Sequence, residues 1–156
     1  MGARVVTSAS AADGEWCRSL GADVTLDYRD PELAGKVAAA APDGVDVWWD
    51  SSGRHDFETT APLLRLGARV ILMAGMSAAP LLPVGALYTR DAKLLGFAIS
   101  NAAVTDLAKA ARVINSLLAR GRLAARIGAT FHLTEAARAH EALESGSVRG
   151  RVLVLP

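Results

Sequence analysis

Between Ala68 and Ala74 the chain reads Ala-Arg-Val-Ile-Leu-Met-Ala, its most hydrophobic strand-like run. A strand with one wet face would alternate apolar and polar residues, and this one does not. Near-continuous apolar strands suit parallel sheets covered by helices on both faces. Parallel strands need long crossovers, so the rest of the chain has to supply helices between strands.

It does so repeatedly. Arg4-Val5-Val6-Thr7 reads as a strand running into the Ser8-Ala9-Ser10 loop, and residues 11–20 carry Trp16, Cys17 and Leu20 in one helical stripe before Gly21. Residues 23–27 form a second strand. Asp30-Pro31 then opens a helix that runs to Ala41, where Pro42-Asp43-Gly44 forces a turn. The third strand, 45–50, closes on Ser51-Ser52-Gly53, and a helix over 55–65 precedes Gly67 and the apolar run. A loop with Pro80, Pro83 and Gly85 leads to a fifth strand over 93–99. The longest helix follows, with Val104, Leu107, Ala111, Ile114 and Leu118 at helical spacing and Gly121 behind it. A strand over 127–133, a helix from Thr134 to Glu144 and a strand over 151–155 end the chain.

Composition excludes several classes of function. The 156 residues carry 17 Lys and Arg against 16 Asp and Glu, interspersed, which is no nucleic-acid surface. No apolar stretch reaches the ~20 residues that cross a bilayer, and no secretory signal opens the sequence. The expected location is therefore the cytoplasm. With Cys17 as the sole cysteine, neither an internal disulfide nor a multi-cysteine zinc site can form.

The order of landmarks carries a resemblance. Leu20-Gly21-Ala22-Asp23, Asp27-Tyr28-Arg29, Gly44-Val45-Asp46-Val47, Asp50-Ser51-Ser52-Gly53 and Gly67-Ala68-Arg69-Val70 follow one another. Near the end come Ala136-Ala137-Arg138-Ala139-His140, Leu143-Glu144-Ser145-Gly146 and Gly150-Arg151-Val152. Together they resemble the nucleotide-binding half of the medium-chain dehydrogenase/reductase superfamily, most of all its zinc-free quinone oxidoreductase-like branch. The resemblance implies an α/β fold: an incomplete Rossmann-type doubly wound parallel sheet over 1–122, lacking its first strand and helix. Residues 123–156 would be a short β-α-β segment that returns, in the family, to a GroES-like catalytic domain. No G-x-G-x-x-G turn occurs in the sequence, which removes the main pyrophosphate anchor. In strand order 3-2-1-4-5-6 the missing strand is central, so two edges should stand open or the flanking strands should meet. The expectation is a fragment or truncated product whose intact relatives are enzymes.

The same resemblance implies site residues. The end of the second Rossmann strand meets the adenosine ribose, where an acid favours NAD and repels the 2′-phosphate of NADP. Thr7, Ser8 and Ser10 stand there without an acid, which favours NADP(H) over NAD(H), although Asp13 occupies the place where relatives often carry a lysine. Tyr28 matches a tyrosine beside the adenine and 2′-phosphate, and Arg29 could supply charge. Ser51 and Ser52 lie at the carboxyl edge of the sheet, Gly75 and Met76 near the nicotinamide, and Phe97, Ala98 and Ile99 along the carboxamide. Each also has a plain structural reading: Ser8 and Ser10 as helix caps, Tyr28 as a strand end, the others as turns or core strand.

The remaining landmarks read as structure. Trp48 and Trp49 point to opposite faces of a strand, as core against two helix layers. His55 and Asp56 read as a polar helix N-terminus, and Cys17 as packing. His132 and His140 match no metal spacing, and no zinc is expected. No catalytic residue stands out, because hydride would pass directly between the nicotinamide and the substrate. That substrate would be a small quinone or α,β-unsaturated carbonyl compound, and a homodimer would form through the edge strand 93–99. The alternatives are a non-enzymatic nucleotide-binding or dimerisation module and, more remotely, a methyltransferase-like doubly wound domain.

Overall fold

The computed structural model describes residues 2–156, which divide into two compact units, 2–99 and Ser100–Pro156. In the first unit, strands and short helices alternate: β1 (Val6–Ala9), α1 (Gly14–Ser19), β2 (Val24–Asp27), α2 (Leu33–Ala40), β3 (Val45–Asp50), α3 (Phe57–Thr60), β4 (Leu64–Leu72), α4 (Val84–Tyr88) and β5 (Lys93–Gly96). The second unit holds α5 (Val104–Ala119), β6 (Ile127–His132), α6 (Ala136–Glu144) and β7 (Arg151–Leu155). Every ladder among the described residues is parallel, as the apolar run required, and the architecture is a partial Rossmann-type α/β fold.

In the first unit β1 pairs with β2, while β3, β4 and β5 form a separate sheet in that order. β1 and β3 share no ladder, so each keeps one open edge. Of the two expected outcomes, open edges or a direct meeting, the structure adopts the first. In the second unit β6 pairs with β7 across α6, the expected β-α-β segment.

The core lies on one face of the β3–β5 sheet. Phe57, Ala61, Leu64, Ala68, Val70 and Leu87 are buried there, with Trp48 and Leu72 packed against them. Register explains the grouping: Trp48 stands beside Val70, and Val70 beside Leu94, so their side chains share a face. Consecutive right-handed crossovers that step in one direction lay their helices on the same side. Accordingly α3 and α4 both cover the Trp48 face. The opposite face is open, and this corrects the expectation for Trp49, which is 68% exposed instead of core.

Three boundaries also differ from the sequence reading. The helix expected over 55–65 ends at Thr60, and Pro62 sits in the 3-10 turn Ala61–Leu63 that follows. Proline has no N–H to continue the ladder, so the chain turns extended at Leu64. β4 begins there, with an irregular register around Gly67 before Val47 meets Arg69. β5 stops at Gly96 instead of Ile99, because its partner β4 ends at Leu72, opposite Gly96. One further bond, Phe97 N–H to the Leu72 carbonyl (3.0 Å), closes the ladder before the 3-10 turn Ile99–Asn101.

Candidate functional site

The predicted site residues fall into two groups, both at carboxyl ends of parallel strands, where open α/β sheets bind ligands. The first group surrounds the ends of β1 and β2. Thr7 and Ser8 lie in β1 opposite Thr25 and Leu26. Ser10 follows the strand and donates its hydroxyl to the Asp13 carboxylate (2.5 Å) instead of capping the next turn. Tyr28 N–H donates to the Ala9 carbonyl (3.0 Å), which carries the ladder one step further. Its ring is exposed, with the Arg29 guanidinium 5.1 Å from the ring centre. Arg29 N–H in turn donates to Asp27 (3.0 Å). The structure therefore gathers Ser10, Asp13, Tyr28 and Arg29 at one end of this ladder, with the acid taken up by the serine.

The second group surrounds the ends of β3, β4 and β5. Ser51 and Ser52 leave β3, Gly75 and Met76 leave β4, and Phe97, Ala98 and Ile99 leave β5. Met76 is fully exposed, and Phe97 and Ile99 are more than half so or close to it. The turns after β3 and β4 touch through glycines. Gly53 has φ +74°, and a Cβ placed on it would lie 2.9 Å from the Gly75 nitrogen. Only backbone can fit at that junction, so the two turns form one continuous surface of peptide groups.

His55 and Asp56, expected together as a polar helix N-terminus, divide the roles at this edge. His55 does not cap α3; Asp56 does, accepting from Thr59 N–H (3.0 Å) and from the Thr59 hydroxyl (2.6 Å). The His55 ring turns inward, with its side chain 6% exposed and stacked at 6.1 Å on Phe57. Its Nδ1 lies 2.9 Å from Asp50 Oδ2, and its Nε2 lies 2.8 Å from the Ala74 carbonyl oxygen. The other Asp50 oxygen accepts from the Ser52 amide and hydroxyl, both at 2.8 Å. Burial works against the Asp50 charge, but the bonds from Ser52 and His55 outweigh it and hold the carboxyl below its ordinary range. The Ala74 carbonyl pushes the His55 pKa up; burial opposes that shift and Asp50 reinforces it. The signal available in the sequence was Asp50 and His55 flanking a small-residue turn, a spacing that fits a loop closed by its own ion pair.

The other two histidines have roles within their own unit. His132 accepts from Thr134 N–H (3.3 Å) in the turn before α6, and His140 is exposed. Cys17 is half-buried in α1. Among the described residues no three His, Cys, Asp or Glu side chains converge as a metal site requires, and no helix is long and apolar enough to cross a membrane.

The chain is similar to known proteins in sequence and in fold. The chain is 38% identical over 73 residues to the NADPH-dependent curcumin reductase of Escherichia coli, covering 44% of this chain and 21% of that protein. It is 27% identical over its whole length to the quinone oxidoreductase of Salmonella typhimurium, of which it spans 50%. The solved structure of a mycobacterial quinone oxidoreductase superposes on 99% of this chain and 50% of its own, with a TM-score of 0.86 at 25% identity. The chain thus spans half or less of the length of these relatives. The family model described as zinc-binding dehydrogenase matches residues 20–154, and the chain belongs to that family, within the medium-chain dehydrogenase/reductase superfamily.

Proposed function

We propose that this chain is the cofactor-binding part of an NADP(H)-dependent, zinc-independent reductase of quinones or α,β-unsaturated carbonyl compounds. Residues 1–122 would hold the dinucleotide, and 123–156 would complete a catalytic domain. The observation that carries the reading is the all-backbone junction of Gly53 and Gly75, set beside Ser51 and Ser52 at the carboxyl edge of parallel strands. Such a surface admits a flat ring close to the chain and presents peptide groups to its amide. Bound NADPH would supply the hydride from its nicotinamide ring. The residues of this chain would then orient that ring: Gly75 and Met76 along one side, Phe97, Ala98 and Ile99 toward the carboxamide. The family's description includes zinc, but among the described residues no three His, Cys, Asp or Glu side chains converge, a donor set that does not fit that ion.

The choice of NADP(H) rests on the first group of residues. Thr7, Ser8 and Ser10 leave the ribose-side turn without an acid at its tip, and Asp13 is engaged by the Ser10 hydroxyl. Tyr28 and Arg29 would face the 2′-phosphate, with the guanidinium as its counter-charge. Isothermal titration calorimetry of the chain with NADPH and NADH tests this. NADPH should bind roughly tenfold more tightly, about 1.4 kcal/mol. Arg29→Ala should weaken NADPH by about 1 kcal/mol, roughly fivefold, and leave NADH unchanged. Equal affinity for the two cofactors would overturn the NADP(H) assignment, and failure to bind either would overturn the cofactor reading. A cytoplasmic enzyme of this kind would take its quinone or enone from solution.

The edge of β5 supports a homodimer through residues 93–99. All four residues of Lys93–Gly96 are exposed, and among the described residues the side away from β4 carries no ladder. Pairing two such edges satisfies both sets of backbone groups. Light scattering after gel filtration should give twice the chain mass. Leu94→Pro, which introduces a residue without an N–H into the edge, should shift the population toward monomer.

A further inference from the structure

Both ring nitrogens of His55 face acceptors. Asp50 Oδ2 is a carboxylate oxygen and the Ala74 oxygen is a carbonyl, so neither can donate a proton back. A neutral imidazole has one N–H and can satisfy only one of them. Both contacts are bonds only when the ring carries two protons. The ring therefore ties the end of β3 to the end of β4 as a cation, with Asp50 as its counter-ion.

We propose that His55 is a positioning residue: its imidazolium holds the Ala74-Gly75 turn against the Asp50–Gly53 turn, and its deprotonation releases the Ala74 side. The direction follows from acceptor strength. A neutral ring keeps its remaining proton on Nδ1, facing the carboxylate, because a charged acceptor makes the stronger bond. The Nε2 lone pair then confronts the Ala74 carbonyl at 2.8 Å, and that contact becomes repulsive. Gly75 follows immediately, and its carbonyl accepts from Ala78 N–H (2.8 Å), so the disturbance passes into the loop after β4.

Few other charges act on this ring. Asp50 is the group facing it from β3, and Arg54 and Asp56 flank it in its own turn, Asp56 being held by Thr59. From α3 it meets the apolar ring of Phe57, and residues 78–80 of the cleft beside it are uncharged. The shift of the His55 pKa above its ordinary value has the sign this pairing requires. By linkage, the stabilisation is complete below the unfolded imidazole value of about 6.5 and is lost as pH rises through the higher folded value.

Ring nitrogen NMR of the full chain, labelled with 15N at histidine, tests this directly. The sequence has three histidines, so His55 is assigned by subtracting the signals lost in His132→Gln and His140→Gln. At pH 6.5 both His55 nitrogens should show directly bonded protons, with a midpoint above the ordinary imidazole value of about 6.5. Above the midpoint the proton should remain on Nδ1, and in the uniformly 15N-labelled chain the Ala78 amide, which donates to the Gly75 carbonyl, should lose protection from exchange. A neutral His55 at pH 6.5, or an Ala78 amide indifferent to its titration, would overturn the proposal. The consequence for cofactor rests on the function proposed above: NADPH affinity should fall through the same midpoint. Absence of NADPH binding at any pH would sink that functional reading alone, since the ring titration needs no cofactor. Binding indifferent to a demonstrated titration would sink the coupling.

Discussion

Phe57→Ala is expected to remove about 3–5 kcal/mol of stability, the cost of deleting a fully packed aromatic side chain. Phe57 is 5% exposed at the centre of the cluster formed by Ala61, Leu64, Ala68, Val70 and Leu87. Four of these five neighbours are small or placed in a strand, so the site cannot collapse around the lost ring. A domain of this size has about 5–15 kcal/mol in total, so the variant should be largely unfolded well below the wild-type midpoint. In urea the midpoint should fall with the slope unchanged. Leu81→Ala is the control: that side chain is 71% exposed, and the change should stay within about 0.5 kcal/mol. Equal losses in the two variants would mean that the cluster under the β3–β5 sheet is not the core.

The sequence announced the parallel ladders because the information is local: β-branched and apolar runs, each followed by a small-residue turn. β3 and β7 have the boundaries that their residues predicted. What stayed hidden depends on neighbours distant in sequence. β5 ends at Gly96 because β4 ends at Leu72, which no property of Phe97 or Ala98 reveals. Trp49 is as apolar as Trp48, yet one is packed and the other exposed, because both crossover helices lie on a single face of the sheet. α4 was hidden by Pro80, Pro83 and Gly85, although Pro83 only precedes the first turn, where a missing N–H costs nothing. The site was legible as a set of strand ends and illegible as contacts. Asp50 and His55 looked like a strand end and a helix start, and the carbonyl that completes their arrangement belongs to Ala74, nineteen residues further on.

That junction is where the second large effect is expected. Gly53→Ala faces two penalties at once: a left-handed backbone, φ +74°, and a Cβ that would lie 2.9 Å from the Gly75 nitrogen and 3.1 Å from its Cα. Strain alone costs about 1–2 kcal/mol for alanine in that conformation. Gly67 isolates this term, since its φ is +76° and a Cβ there meets nothing within 4 Å. Gly67→Ala should therefore lose only the strain. At position 53 the obstacle is backbone, which cannot rotate aside like a side chain, so displacement of the Gly75 turn should add about 1–3 kcal/mol. Displacing that turn also moves the Ala74 carbonyl away from His55 Nε2, and the ring should then titrate closer to an ordinary histidine. The two variants thus separate conformational strain, which both share, from the contact between turns, which only Gly53 makes. Denaturant midpoints and the His55 titration should both distinguish them, with Gly67→Ala keeping the raised histidine midpoint and Gly53→Ala losing it. Were both to keep it, the glycine contact would have no part in holding the Ala74 carbonyl over the ring.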